Sequence, residues 1–237
     1  PFLCFDFQAC QDPEVRARRE ALILAWNNAA DRLGFWAYDF GNGFYSLPRV
    51  YFREQQDMLR FFRAHGGAAA FAERCYATWN EGPKVYLYFK LLEDPDRDAE
   101  RVLTDWCEAC VGREAAPALR QYYAFWEAFW RTQATQTAWW QSRTATYLGL
   151  GQFGSYMYGL APGDMARCRV LMERVVDVAA AHGTPAQQAR ARLQMRAFAW
   201  HEAAAIACGA EVFSPDGTLP DAAAALRLAR ALPDAVE

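Results

Sequence analysis

Lysine is nearly missing from this chain. It carries 25 basic residues, yet only Lys84 and Lys90 are lysines. With its many alanines, the bias reads as codon usage rather than function. Histidine is almost as scarce: His65, His182 and His201 are all there are. The first two precede glycine near expected helix ends, where a charge facing the helix C-terminus is the default role, and His201 falls in a helical run. No Ser/His/Asp set, phosphate loop or metal-ligand cluster can be assembled from this inventory. Long apolar runs are missing as well, which excludes a membrane-spanning segment. The formal charge is -3 with acids and bases interspersed, and no clustered basic face provides the footprint of a nucleic-acid binder. Seven cysteines, odd in number and scattered, do not form a disulfide framework. Unpaired cysteines point to a cytoplasmic setting. Cys107 and Cys110 form a CxxC, but it lies on a strong helical period with no second pair or nearby histidine, so core packing is expected rather than metal or cofactor binding. There is no signal peptide, and the chain opens at Pro1 rather than a methionine, which reads as the C-terminal portion of a longer protein. No repeat at a fixed period is present, which argues against an α-solenoid.

What the chain does have is apolar mass. It is 53% hydrophobic and 15% aromatic over 237 residues, enough to bury the core of one large domain or two small ones. Phe2 to Asp6 reads as a strand. Asp12-Pro13 opens a helix running to about Leu33, with Ala21, Leu22, Ala25 and Trp26 on one apolar face and Gly34 as its stop. Phe35 to Phe40 is a second strand, and Glu54 to Ala64 a helix stopped by Gly66-Gly67. Ala68 to Glu73 is a third strand, followed by a helix from Gly82-Pro83 to Leu92. After Asp94-Pro95-Asp96 the pattern is helical. One helix carries Ala99, Val102, Leu103, Trp106, Cys107 and Cys110 and closes at Gly112. An aromatic helix follows, from Leu119 through Trp130 and on towards Trp139-Trp140. Residues 149–163 read as a loop. A helix with Leu171, Met172, Val175 and Val178 inward starts at Pro162 or Gly163. Thr184-Pro185-Ala186-Gln187 is a capping box that opens the next helix, and Pro220-Asp221 begins a short last one.

Two apolar runs end on an acid among aromatic residues. The first reaches Asp39, beside Trp36, Tyr38, Phe44 and Tyr45. The second reaches Glu73, beside Arg74, Tyr76 and Trp79. An apolar run that releases an acid at its carboxyl end is how a buried parallel strand delivers a residue to a barrel mouth. Three β-α units in succession predict α/β then all-α architecture: the last three β/α units of a TIM-type (β/α)8 barrel over residues 1–92, then a helical domain over residues 93–237.

Several phrases carry a family resemblance: CFDFQACQDP followed by ALILAW, WAYDFGNGF, GAAAFAE, and YLYFKLLEDPDRDAERVLTDWCEACVG. Together they resemble a bacterial glycoside-hydrolase-like domain of unknown function, similar to the barrels of α-glucuronidases and β-hexosaminidases with a helical tail. Glu93 departs from the tryptophan common at its place in that family. The resemblance implies that Asp6, Asp39 and Glu73 lie at the mouths of strands six, seven and eight, with a further strand-four acid upstream.

Glycoside hydrolysis uses two carboxyl groups flanking the scissile bond, and Asp39 and Glu73 are the candidates for that catalytic pair. Arg74 can hold a substrate carboxylate bidentately. Trp36, Tyr38, Tyr45 and Trp79 can stack on sugar faces or donate hydrogen bonds, and Asp6 is a further substrate-contact candidate. Each has a plainer alternative. Asp39 can cap the Gly41-Asn42-Gly43 turn, Glu73 can pair with Arg74 or Arg49, and each aromatic can be core. The function expected is therefore that of the C-terminal portion of a carbohydrate-binding or glycoside-hydrolysing protein, its partners a glycoside (a uronic acid or acetamido sugar among the candidates) and the upstream portion of the same protein. The alternative is a non-catalytic helical binding or assembly module.

Overall fold

A computed structural model describes residues 1–38, 47–73, 82–141 and 156–207. The expected helix after Pro220 lies outside these residues, as does the stretch 149–155.

Three parallel strands, β1 (Phe2–Phe5), β2 (Leu33–Tyr38) and β3 (Gly67–Glu73), pair in the order β1-β2-β3. Their register lines up Leu3 with Phe35 and Ala70, Cys4 with Trp36 and Phe71, and Tyr38 with Glu73. Alternation along a strand sends successive side chains to opposite faces. Leu3, Phe35 and Ala37 are buried on one face. On the other, Phe2 is 57% exposed, Trp36 37% and Phe71 49%. A parallel sheet is normally covered on both faces; among the described residues, helices cover this one on one face.

The barrel expectation is overturned. The strands form an open three-stranded sheet rather than units of a TIM barrel, and helix accounts for most of the described chain. Closure needs enough tilted strands to bring the two edges together, and among the described residues β1 and β3 are both edges. The alanines of β3, read from sequence as barrel packing, leave Ala68 and Ala69 exposed.

The helix α1 (Pro13–Asn27) starts as its sequence dictates: Asp12 accepts from the backbone N–H groups of Glu14 and Val15, with Pro13 at the first position. It ends six residues before Leu33. Gly34, read as its stop, is a β2 residue instead. A Cβ there would meet the Phe2 ring at 2.7 Å, so the missing side chain makes room for that ring. The expected apolar face is also corrected. Val15, Arg19 and Ile23 are buried, whereas Ala21, Leu22, Ala25 and Trp26 are exposed.

The helices α2 (Phe52–Ala64) and α3 (Lys84–Glu93) pack on the covered side, with Phe62 of α2 edge-on to Phe35 at 4.9 Å. A helical body follows: α4 (Ala99–Val111), α5 (Ala116–Thr132), α6 (Ala138–Gln141), α7 (Asp164–His182) and α8 (Pro185–Ala207). The aromatic helix does not run on to Trp139. It ends at Thr132, and a 3-10 turn over Ala134–Gln136 leads into α6. The capping box before α8 forms as read, Gln187 N donating to Thr184 Oγ1 and Gln187 Oε1 accepting from Thr184 N. Cys107 and Cys110 are buried in α4, and burial pushes their thiols up to about 12 and about 11. One contiguous set of buried side chains runs from Leu3 in β1 to Ala205 in α8.

Two carboxyl groups sit where α2 meets α5. Glu127 of α5 accepts from the Arg53 backbone N–H at 3.1 Å. Glu54 of α2 pairs with Arg131 at 3.3 Å, while its Oε2 is buried without a partner. Burial, the largest cause for both, raises both carboxyls above the ordinary value of 4.5. The folded chain therefore holds these protons to higher pH than the unfolded chain. Stability is lost as pH rises from about 4.5 through the raised values. We expect Glu54→Gln to flatten that decline and to be more resistant to urea than the parent at pH 7, since Arg131 is open enough for water to replace its partner. Urea midpoints of both proteins at pH 5 and pH 7 check this; an equal or lower midpoint for the variant at pH 7 would count against it.

Candidate functional site

Each strand hands the chain to a connection at its carboxyl end; the connections after β1 and β2, together with the first residue of the helix that follows β3, send polar side chains to one buried cluster. Asp6 immediately follows β1 and is fully buried. Its Oδ1 accepts from the Gln8 backbone N–H at 2.9 Å, and its Oδ2 forms a buried ion pair with Arg49. Arg49 belongs to the connection between β2 and α2. Its Nε donates to Gln8 Oε1 at 2.5 Å, so one guanidinium forks between Asp6 and Gln8. The Tyr51 ring lies within cation–π reach of two bases, 5.2 Å from Arg49 Cζ and 4.8 Å from Lys84 Nζ. Lys84 is the first residue of α3 and is fully buried.

The chemistry here is charge-assisted hydrogen bonding on an aromatic floor. Tyr51 is followed inward by Phe7, 6.3 Å away, and Phe7 is edge-on to Phe35 at 5.5 Å. Gln8 Nε2 is buried with no acceptor, so the cluster has a donor available beside Arg49. Burial, then Asp6, pushes the Cys10 thiol up to about 12. Cys10 sits 3.7 Å from the Asp6 carbonyl oxygen as a packed thiol, not a nucleophile. Among the described residues no group of three or more His, Cys, Asp or Glu is placed to hold a metal ion.

Of the residues singled out from sequence, Asp39, Tyr45, Arg74 and Trp79 lie outside the described residues. Tyr38 and Glu73 are register partners at the last described rows of β2 and β3, and neighbouring parallel strands run about 4.8 Å apart. Trp36 is partly exposed on the face opposite Phe35, edge-on to Phe71 at 4.8 Å. Asp6 faces Arg49 and Gln8 rather than solvent. Arg49, considered from sequence only as a partner for Glu73, pairs with Asp6. Gln8, Tyr51 and Lys84 escaped sequence reasoning. Lys84 is one of only two lysines in the chain and is fully buried.

Residues 7–124 match a family described as a domain of unknown function (DUF4838). That match covers the chain from the end of β1 into α5 and carries no statement of activity. No curated protein and no solved structure matches the chain.

Breaking a buried ion pair by removing one partner leaves an uncompensated charge and costs about 3–5 kcal/mol, whereas replacing both partners with neutral groups costs much less. Arg49→Met is expected to lower unfolding stability by about that amount. Asp6→Asn combined with Arg49→Met should recover a large part of it. Chemical denaturation of four proteins, the parent, Arg49→Met, Asp6→Asn and the double variant, measures the coupling, and strict additivity would show that the pair is not the unit described.

Proposed function

We propose that this chain recognises a glycoside at the carboxyl end of its parallel sheet and supplies carboxylates for its hydrolysis. The single observation that carries the reading is convergence. The connections after β1 and β2 contribute Asp6 and Gln8, and Arg49 and Tyr51, and the first residue of the helix after β3 contributes Lys84 to the same cluster. In α/β proteins ligands bind outside the carboxyl ends of the strands. Two further features support a sugar. Trp36 and Phe71 expose aromatic surface two register rows before Tyr38 and Glu73, and aromatic faces stack on sugar rings. Chain positions 39 and 73 follow or end adjacent strands, and an acid at each supplies the two carboxyl groups that most glycosidases use.

In this reading Asp39 and Glu73 share the acid and base or nucleophile roles, and Trp36 is a stacking platform. Arg74 and Tyr38 orient the substrate, with Tyr45 and Trp79 beside them. Asp6 acts at one remove, by holding Arg49. Uronic acid and acetamido sugars are the first classes to offer, because both present planar groups that guanidinium and amide donors can bind. A non-catalytic role for the same aromatic face predicts binding without turnover.

The test uses the full chain against a panel of uronic-acid and acetamido glycosides, followed by calorimetry and product analysis. Trp36→Ala is expected to weaken binding about tenfold, the value of about one aromatic contact. Glu73→Gln is expected to keep binding and abolish turnover. Unchanged affinity in Trp36→Ala, together with unchanged turnover in Glu73→Gln, would remove the site assignment. Binding without turnover in the parent would favour the binding module.

A further inference from the structure

The cationic residues of the cluster stand on or just beyond irregular backbone. Residues 48–51 lead into α2 and residues 82–83 into α3. Irregular segments hold a side chain loosely unless something outside them fixes the backbone. Among the described residues, three contacts from one helix do so. Trp130 Nε1 donates to the Pro48 carbonyl at 2.5 Å, one residue before Arg49. Glu127 accepts from the Arg53 N–H at 3.1 Å, at a helix start where Tyr51 provides no side-chain cap. Tyr123 lies so close to Gly82 that a Cβ there would be 2.2 Å from its ring, and Gly82 adopts φ +55. Gly82 is two residues before Lys84. Tyr123 is itself fixed, its hydroxyl donating to Gln194 Oε1 of α8 at 2.7 Å.

Positions 123, 127 and 130 fall at i, i+4 and i+7, one face of α5. We infer that this face is the positioning surface of the cluster, with Trp130 as its central positioning residue. Through it the helical body sets where Arg49, Tyr51 and Lys84 stand. The ligand half of this inference rests on the carbohydrate reading above; the structural half does not.

Trp126 provides a matched control. It is on the same helix and as fully buried as Trp130. Its Nε1 makes no hydrogen bond to either connection; the polar group beside it is the Tyr122 hydroxyl of the same helix. Trp130→Phe and Trp126→Phe therefore delete similar volume, but only the first deletes a bond to the connection. Amide hydrogen exchange on the full chain reads the result locally. Trp130→Phe is expected to speed exchange over residues 49–55 about tenfold, the worth of about one buried hydrogen bond, and to weaken any measured glycoside affinity by a similar factor. Trp126→Phe should leave both as in the parent. If Trp130→Phe fails to fold, Glu127→Ala removes the neighbouring contact from a half-buried position and should loosen the same segment. Faster exchange over residues 49–55 in Trp130→Phe but not in Trp126→Phe supports the inference, and equal exchange in both tryptophan variants overturns it. Where Trp130→Phe does not fold, faster exchange in Glu127→Ala than in the parent supports it and equal exchange overturns it. If the parent binds no glycoside, the carbohydrate reading alone fails, and the exchange contrast still decides whether α5 positions the cluster.

Discussion

A guanidinium at 2% exposure governs this architecture. Arg49 cannot be withdrawn from water without partners, because an unpaired buried charge costs several kcal/mol. Its partners are Asp6 and Gln8, which follow a different strand. The pair therefore ties the exit of β1 to the connection between β2 and α2. Lys84, brought in by α3, approaches the same Tyr51 ring. Parallel strands have no hairpins to hold their ends together, and in this chain buried charge does part of that work.

The helical body is not an appendage to the sheet. Edge-to-face contacts link Tyr122, Trp126, Phe129 and Trp130 along α5, and Trp130 continues to Trp139 and Tyr156. Phe7, Phe35, Phe62 and Tyr88 form a second aromatic group under the sheet. The two belong to one buried cluster. Dense aromatic packing of this kind transmits displacement rather than absorbing it, which is why an indole in α5 can matter to a loop beyond the strand ends.

Much of the helical part was legible because its signals are local. Asp12-Pro13, the Thr184 capping box and Gly112 each satisfy a backbone requirement within four residues, and each does so as read. Strand positions were legible too, since short apolar runs between breakers leave few options. The errors came from long-range facts. Nothing local says that Gly34 makes room for the Phe2 ring, or that Ile23 rather than Trp26 faces inward on α1, where almost every turn carries an apolar residue. Barrel closure depends on what lies beyond both sheet edges, and strand-helix alternation cannot report that. At the cluster, Asp6 was visible as the acid that closes the first apolar run, but its buried pairing with Arg49 was not. Gln8 and Tyr51 were not, because their role arises only when the connections fold over the strand ends.

The same lysine scarcity has a practical consequence. One lysine amine is sealed against Tyr51 and the other, Lys90, is partly open near the end of α3 beside Glu93. Of the two lysines, amine-directed acylation of the native chain is thereby limited to Lys90. An adduct on Lys84 would report that the cluster had come apart. The protein carries its own single-residue chemical footprint for the integrity of its polar centre.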